Sequence, residues 1–124
     1  MAVVGVGVDV VDVERFARVL ARRPRIVERL FTLGEQRDGR GSAQRLGARF
    51  AAKEAVMKSL GVGVGSVPWT AIEVVKAPSG EPHVELHAGA VALADARGAR
   101  AFHLSLTHSD VSAIALVVAE DGRG

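Results

Sequence analysis

Several charged side chains in this sequence fall where folding alone does not want a charge. Asp9 lies inside the β-branched run of residues 3–11, VVGVGVDVV. A carboxylate there needs a donor, a cation or a proton, because desolvation otherwise raises its pKa; capping the turn that follows would also satisfy it. Lys53 and Glu54 pose the same question on a helical pattern. At about 100° per residue, Leu46, Phe50, Met57 and Leu60 share one face, with Lys53 inside that arc and Glu54 on its edge. Charges belong there only when paired or bound to something. Glu54 and Lys58, four residues apart, also read as an ordinary surface pair, a reading that leaves Lys53 unexplained. Taken together, Asp9 and Glu54 suit a hard divalent ion such as Mg2+, which takes one or two protein carboxylates and fills its other positions with water and phosphate oxygens.

Other chemistries are excluded or weakened by spacing. GVGVD at residues 5–9 lacks the third glycine of a dinucleotide fingerprint, where Val10 stands, and its glycines lie within the strand rather than after it. No P-loop is present. The absence of cysteine removes disulfides, thiolate metal sites and cysteine nucleophiles. His103 and His108, five apart on an extended segment, point to opposite faces and do not share a metal. His83 and His87 share a face but have no third ligand nearby, and read as surface residues. His108 stands at a strand end beside the turn Ser109-Asp110. There it either bonds backbone or serves a phosphate or a proton near neutral pH.

The elements that must position these residues follow from local patterns. Residues 3–11 read as a strand buried on nearly all sides. Residues 12–30 form helical turns capped by Asp12 and interrupted near Pro24. Residues 34–41, GEQRDGRG, carry three glycines and two arginines and read as a lid-like flexible loop. Residues 42–60 form the clearest helix, with Ser42 as N-cap and Gly61 in the position of a C-terminal capping glycine. Gly61, Gly63 and Gly65 make a loop that ends at Pro68. Four strands follow in TAIEVVKA, PHVELHA, AFHLSLTH and SAIALVVAE, with a short helix over residues 89–96. The fold class is therefore α+β, a mainly antiparallel sheet packed with a long central helix, expected as one domain over residues 1–124. Hydrophobic residues make up 48% and aromatics only 4% of the chain, so the core must be mostly Val, Ala and Leu, and oligomerisation would help it. No signal peptide or membrane span is indicated, and a soluble cytoplasmic protein is expected. Net charge is only +2, yet arginines crowd between Arg15 and Arg49. Such a face would attract an acidic protein or a phosphorylated ligand, unless it reflects only a GC-rich genome.

Three segments, GVGVDVVDVERF (5–16), RFAAKEAVMKSLG (49–61) and HLSLTHSD (103–110), resemble in order and spacing the motifs of the holo-acyl-carrier-protein synthases, a type of 4'-phosphopantetheinyl transferase. The resemblance extends over the whole chain and implies that family's fold. It also implies the reaction: 4'-phosphopantetheine passes from coenzyme A to a serine of an apo acyl carrier protein in fatty-acid or polyketide biosynthesis, with 3',5'-ADP leaving. Under it, Asp9 and Glu54 are Mg2+ ligands, and Glu54, Lys58 and His108 are catalytic. Arg49, Lys53, Lys58, Gly61, Gly63, Gly65, Ser105, Thr107 and His108 frame the coenzyme A. Arg15, Arg22 and Arg25 hold the acidic carrier protein. The base for the serine proton stays open between Glu54 and a water. The family forms trimers with active sites between subunits, so a homotrimer is expected.

Two other classes remain in view: a catalytically silent scaffold that binds carrier proteins through Arg15, Arg22 and Arg25, and a small basic nucleic-acid-binding domain. Four Phe and one Trp, without a basic stacking stripe, count against the second. Neither a nucleic acid nor a membrane is expected as partner.

Overall fold

The structure is a computed structural model that describes residues 1–122. Strand β1 (Val3–Asp12) leads into α1 (Val13–Arg22), α2 (Ile26–Leu30) and α3 (Leu33–Gly39), then into the long helix α4 (Ala43–Ser59). A short 3-10 turn (Trp69–Ala71) precedes β2 (Ile72–Lys76) and β3 (Pro82–Leu86); α5 (Gly89–Ala96), β4 (Ala101–His108) and β5 (Ser112–Glu120) complete the order. Among the described residues all strand pairing is antiparallel, in a three-stranded sheet of order β1-β5-β4 and a separate β2-β3 hairpin. Among the described residues no helix is long and apolar enough to cross a membrane.

The caps expected from sequence are present. Asp12 Oδ1 accepts from the Arg15 N–H at 2.8 Å, and Ser42 Oγ accepts from the Arg45 N–H at 3.2 Å. Gly61 follows α4 with φ of 72°, the left-handed turn that ends it. The core is the small-residue aliphatic one the composition required: Ala51, Ala52, Ala55 and Val56 of α4 press against Ala115, Val117 and Ala119 of β5, all with no exposed surface. Beside it, Phe16, Leu30, Phe31 and Leu46 form a second cluster, with the Phe16 and Phe50 rings stacked at 5.5 Å.

Strand β1 is not buried on both sides. Gly5, Gly7, Asp9 and Val11 face α4, while Val4, Val6, Val8 and Val10 are 41%, 57%, 54% and 61% exposed. The continuous apolar run hid a two-residue alternation, because the inward positions are glycines. A Cβ on Gly5 would lie 1.7 Å from the Ser59 carbonyl oxygen, and one on Gly7 only 1.9 Å from that of Ala55. These glycines thus let the helix backbone approach the strand, which is their role in GVGVD.

Residues 34–41 are not a lid. They lie mostly in α3, started by a capping box in which Thr32 Oγ1 accepts from the Glu35 N–H at 3.1 Å and Glu35 Oε1 accepts from the Thr32 N–H at 3.0 Å. Glycine content suggested a loop, but tertiary contacts override that weak propensity.

Candidate active site

Because Asp9 shares the parity of Gly5 and Gly7, its side chain turns toward α4, where the close helix approach brings it against Glu54. The two carboxyls hydrogen-bond each other, and Glu54 is pushed up to about 7, first by burial, then by the charge and hydrogen bond of Asp9. Lys58 donates to Asp9 Oδ1 at 2.9 Å and to the Val8 carbonyl at 3.0 Å, which leaves one of its three N–H bonds uncommitted. Its pKa is raised, first by that hydrogen bond to Asp9. Lys58 therefore pairs across to the strand, which the reading as an i,i+4 partner of Glu54 did not anticipate. Among the described residues no third His, Cys, Asp or Glu joins Asp9 and Glu54. Two abutting carboxylates match a hard oxygen-preferring cation that completes its shell with water and phosphate.

His108 opens onto a different feature, a cleft of about 520 Å³ shared with Arg37, Arg40, Arg45, Arg49 and Lys76. Arg49 is only 9% exposed; it donates to the Arg45 carbonyl at 3.1 Å, but its Nε–H has no partner. Burial lowers its pKa. The turn after His108 is held by Gln44, which donates to Asp110 Oδ1 at 2.9 Å and to the Ser109 carbonyl at 3.2 Å. This cationic cleft does not meet the acidic pair. Arg45 and Arg49 lie about 180° and 140° around α4 from Glu54, and β1 and β4 are the two edges of their sheet, about 10 Å apart.

The other expected site residues are dispersed. Lys53 does not face a ligand: it is wholly buried, and its ammonium donates to Glu35 Oε1 at 2.7 Å, to the Trp69 carbonyl at 3.0 Å and to the Ile72 carbonyl. Ser105 and Thr107 project from the opposite face of β4 to His108, beside His103, which pairs with Glu120 at 3.3 Å. His83 and His87 are exposed as expected, His87 lying 2.9 Å from Glu73. Gly61, Gly63 and Gly65 form an open loop past the end of α4. Arg15, Arg22 and Arg25 are exposed, and Arg15 edges an apolar recess of about 330 Å³ walled by Val10, Phe16, Val19, Ile26 and Phe50. The sequence reading missed Arg37, Arg40, Arg45 and Lys76. Only the crowding of arginines up to Arg49 signalled a basic surface, and nothing local singled out which of them converge.

A strand glycine pair thus admits a helix, and a carboxylate from each element meets the other beside a lysine. The sequence pattern of the 4'-phosphopantetheinyl transferase superfamily matches residues 5–116, and the chain belongs to that superfamily. Within it, the chain is 55% identical to the holo-[acyl-carrier-protein] synthase of Frankia casuarinae over 97% of its length and 99% of that protein's. It is 40% identical to the one from Alkaliphilus metalliredigens, over 93% and 97%. Among solved structures, the Helicobacter pylori holo-[acyl-carrier-protein] synthase in complex with coenzyme A superposes with a TM-score of 0.84 at 26% identity, over 93% of this chain and 99% of that one. The Mycobacterium tuberculosis acyl carrier protein synthase superposes with a TM-score of 0.75 at 36% identity, over 96% and 98%. The α+β fold expected from the motifs is thus the fold observed.

Proposed function

We propose that this enzyme transfers 4'-phosphopantetheine from coenzyme A to a serine of an apo acyl carrier protein, with Mg2+ held by Asp9 and Glu54. The observation that carries the reading is the meeting of those two carboxyls beside Lys58, in a chain of this superfamily. Unpaired, they repel, which is part of why Glu54 is pushed up to about 7; a cation between them relieves that repulsion. Bound there, Mg2+ would supply charge neutralisation on the diphosphate of coenzyme A.

The chain's own residues do the rest. Lys58, fixed by Asp9 and the Val8 carbonyl, turns its free N–H toward phosphate oxygens and offsets charge that builds as the reaction proceeds. The serine oxygen forms a bond to the β-phosphorus of coenzyme A, the bond from that phosphorus to the bridging oxygen breaks, and 3',5'-ADP departs with the electron pair. The serine proton passes to Glu54 or to a water.

Substrate contacts follow from the surfaces. The cationic cleft of Arg45, Arg49 and His108 suits the nucleotide phosphates. In one chain it lies across α4 from Asp9 and Glu54, while Val6, Val8, Val10, Ile114 and Leu116 leave one sheet face apolar and exposed. A homotrimer packed through that face would cover the apolar surface, and the reading requires it to bring one copy's cleft to the next copy's acidic pair. Arg15 at the edge of the apolar recess, with the exposed Arg22 and Arg25, suits an acidic amphipathic helix of the carrier protein. A cytoplasmic location is part of this reading.

The test is mass spectrometry of an apo carrier protein incubated with enzyme, coenzyme A and Mg2+. Wild type should add the phosphopantetheine mass, and Asp9→Ala or Glu54→Ala should lower the rate at least about a hundredfold. Full activity in either variant would end the reading.

A further inference from the structure

A second cation stands beyond Lys58, on an element none of the three sequence motifs includes. Arg97 follows the last residue of α5, and its position is set firmly: α5 anchors through the buried Ala90 and Ala94, the Arg97 N–H donates to the Leu93 carbonyl at 3.2 Å, and the Ala99 N–H returns to the Ala94 carbonyl at 2.9 Å. From there the side chain reaches over the end of α4, where Nη1 is 3.8 Å from the space a Cβ on Gly61 would fill. Arg97, Lys58, Ser59 and Gly61 wall one cleft of about 350 Å³, bounded on the other side by Val4 and Val6. The guanidinium is exposed and has no hydrogen-bond or ion-pair partner among the described residues. The nearest motif lysine, Lys58, is already tied to Asp9 and Val8.

We infer that Arg97 is a binding residue for a phosphate group of coenzyme A, extending the Lys58 end of the site across the Gly61 turn. The inference rests on the proposed transfer reaction for the identity of its ligand. Two features of the cleft support an anion there. It presents two cations and no carboxylate of its own, and its floor is a glycine, which leaves room for a phosphate to approach the guanidinium fork. Coenzyme A offers two sources of that chemistry, the diphosphate and the 3'-phosphate. A competing role is purely structural, since an arginine beside the end of α4 also offsets the negative end of the helix dipole.

The experiment compares wild type, Arg97→Ala and Arg97→Lys by calorimetric binding of coenzyme A and of 3'-dephospho-coenzyme A, with Mg2+ present, alongside transfer kinetics and thermal melting. Arg97→Ala should weaken coenzyme A binding and raise its KM about tenfold, with Arg97→Lys recovering much of the loss and melting unchanged. A loss that disappears with 3'-dephospho-coenzyme A assigns Arg97 to the 3'-phosphate; one that persists assigns it to the diphosphate. Unchanged affinity for both ligands would overturn the inference. So would a lowered melting temperature with unaltered binding, which would mark a helix-end role. If wild type binds coenzyme A yet transfers nothing to the carrier protein, the proposed function fails while the Arg97 binding comparison stays readable.

Discussion

Helix α4 carries two lysines five residues apart, each joined to a carboxylate from another element, and the two pairs have opposite surroundings. Lys53 and Glu35 are fully buried at 2.7 Å, whereas Lys58, about half exposed, meets Asp9 at 2.9 Å at the molecular surface. Lys53 spends all three N–H bonds inside the protein, on Glu35 and the Trp69 and Ile72 carbonyls, and Glu35 Oε2 also accepts from the Val74 N–H at 2.9 Å. Lys58 keeps one N–H bond free. Burial lowers the pKa of Lys53, while the bond to Asp9 raises that of Lys58. A closed pair of this kind joins elements, here α3, α4 and β2; an open pair keeps capacity for a ligand.

The sharpest way to break this comparison is to remove one member of the closed pair. Lys53→Ala leaves Glu35 buried and uncompensated, and urea unfolding should show a loss of about 3–5 kcal/mol, a large part of the total stability of an ordinary domain. Replacing both partners, Lys53→Met with Glu35→Leu, should recover only part of it, because the uncompensated charge disappears but the Thr32 and Val74 N–H groups and the Trp69 carbonyl lose their partners. A Lys53→Ala protein with a wild-type unfolding midpoint would show that the closed pair joins nothing.

The open pair should respond in the opposite observable. Lys58→Ala is expected to leave the urea midpoint where it is and to slow phosphopantetheine transfer about a hundredfold. Loss of stability without loss of rate would reverse the assignment of the two lysines.

The smallest effect concerns pH. In divalent-free buffer Glu54 titrates near 7 in the folded protein, against about 4.3 in an unfolded chain. Between those values the native state holds a proton that the unfolded state has lost, so the contribution of Glu54 to stability is full below about 4.3 and is lost as pH rises to about 7. Partial exposure of Glu54 limits the decline to a few degrees of melting temperature. Glu54→Gln should flatten that part of the profile, and an unchanged slope in the variant would place the titration elsewhere.

Much of the scaffold was legible without the fold. Alternation and β-branching located all five strands, Asp12 and Ser42 marked helix starts, and the short-range spacing around Pro24 separated α1 from α2. The oddity of Asp9 in an apolar strand and of Glu54 on a helix edge pointed to the pair that the structure brings together. What failed did so for identifiable reasons. Glycines in residues 34–41 masked the Thr32–Glu35 capping box, and inward glycines in β1 made a one-sided strand look buried throughout.

The sequence by itself determined the elements and the charges that need an explanation, since both depend on neighbours within a few positions along the chain. Only the tertiary structure decided which charge closes a core and which stays open. Lys53 and Lys58 are the same residue type on one helix, and their fates differ because α3 and β2 cover one while the rim of β1 borders the other. The separation of His108 and its arginines from Asp9 and Glu54 has the same origin: which way a helix face points is local, but what stands opposite it is supplied by parts of the chain far away.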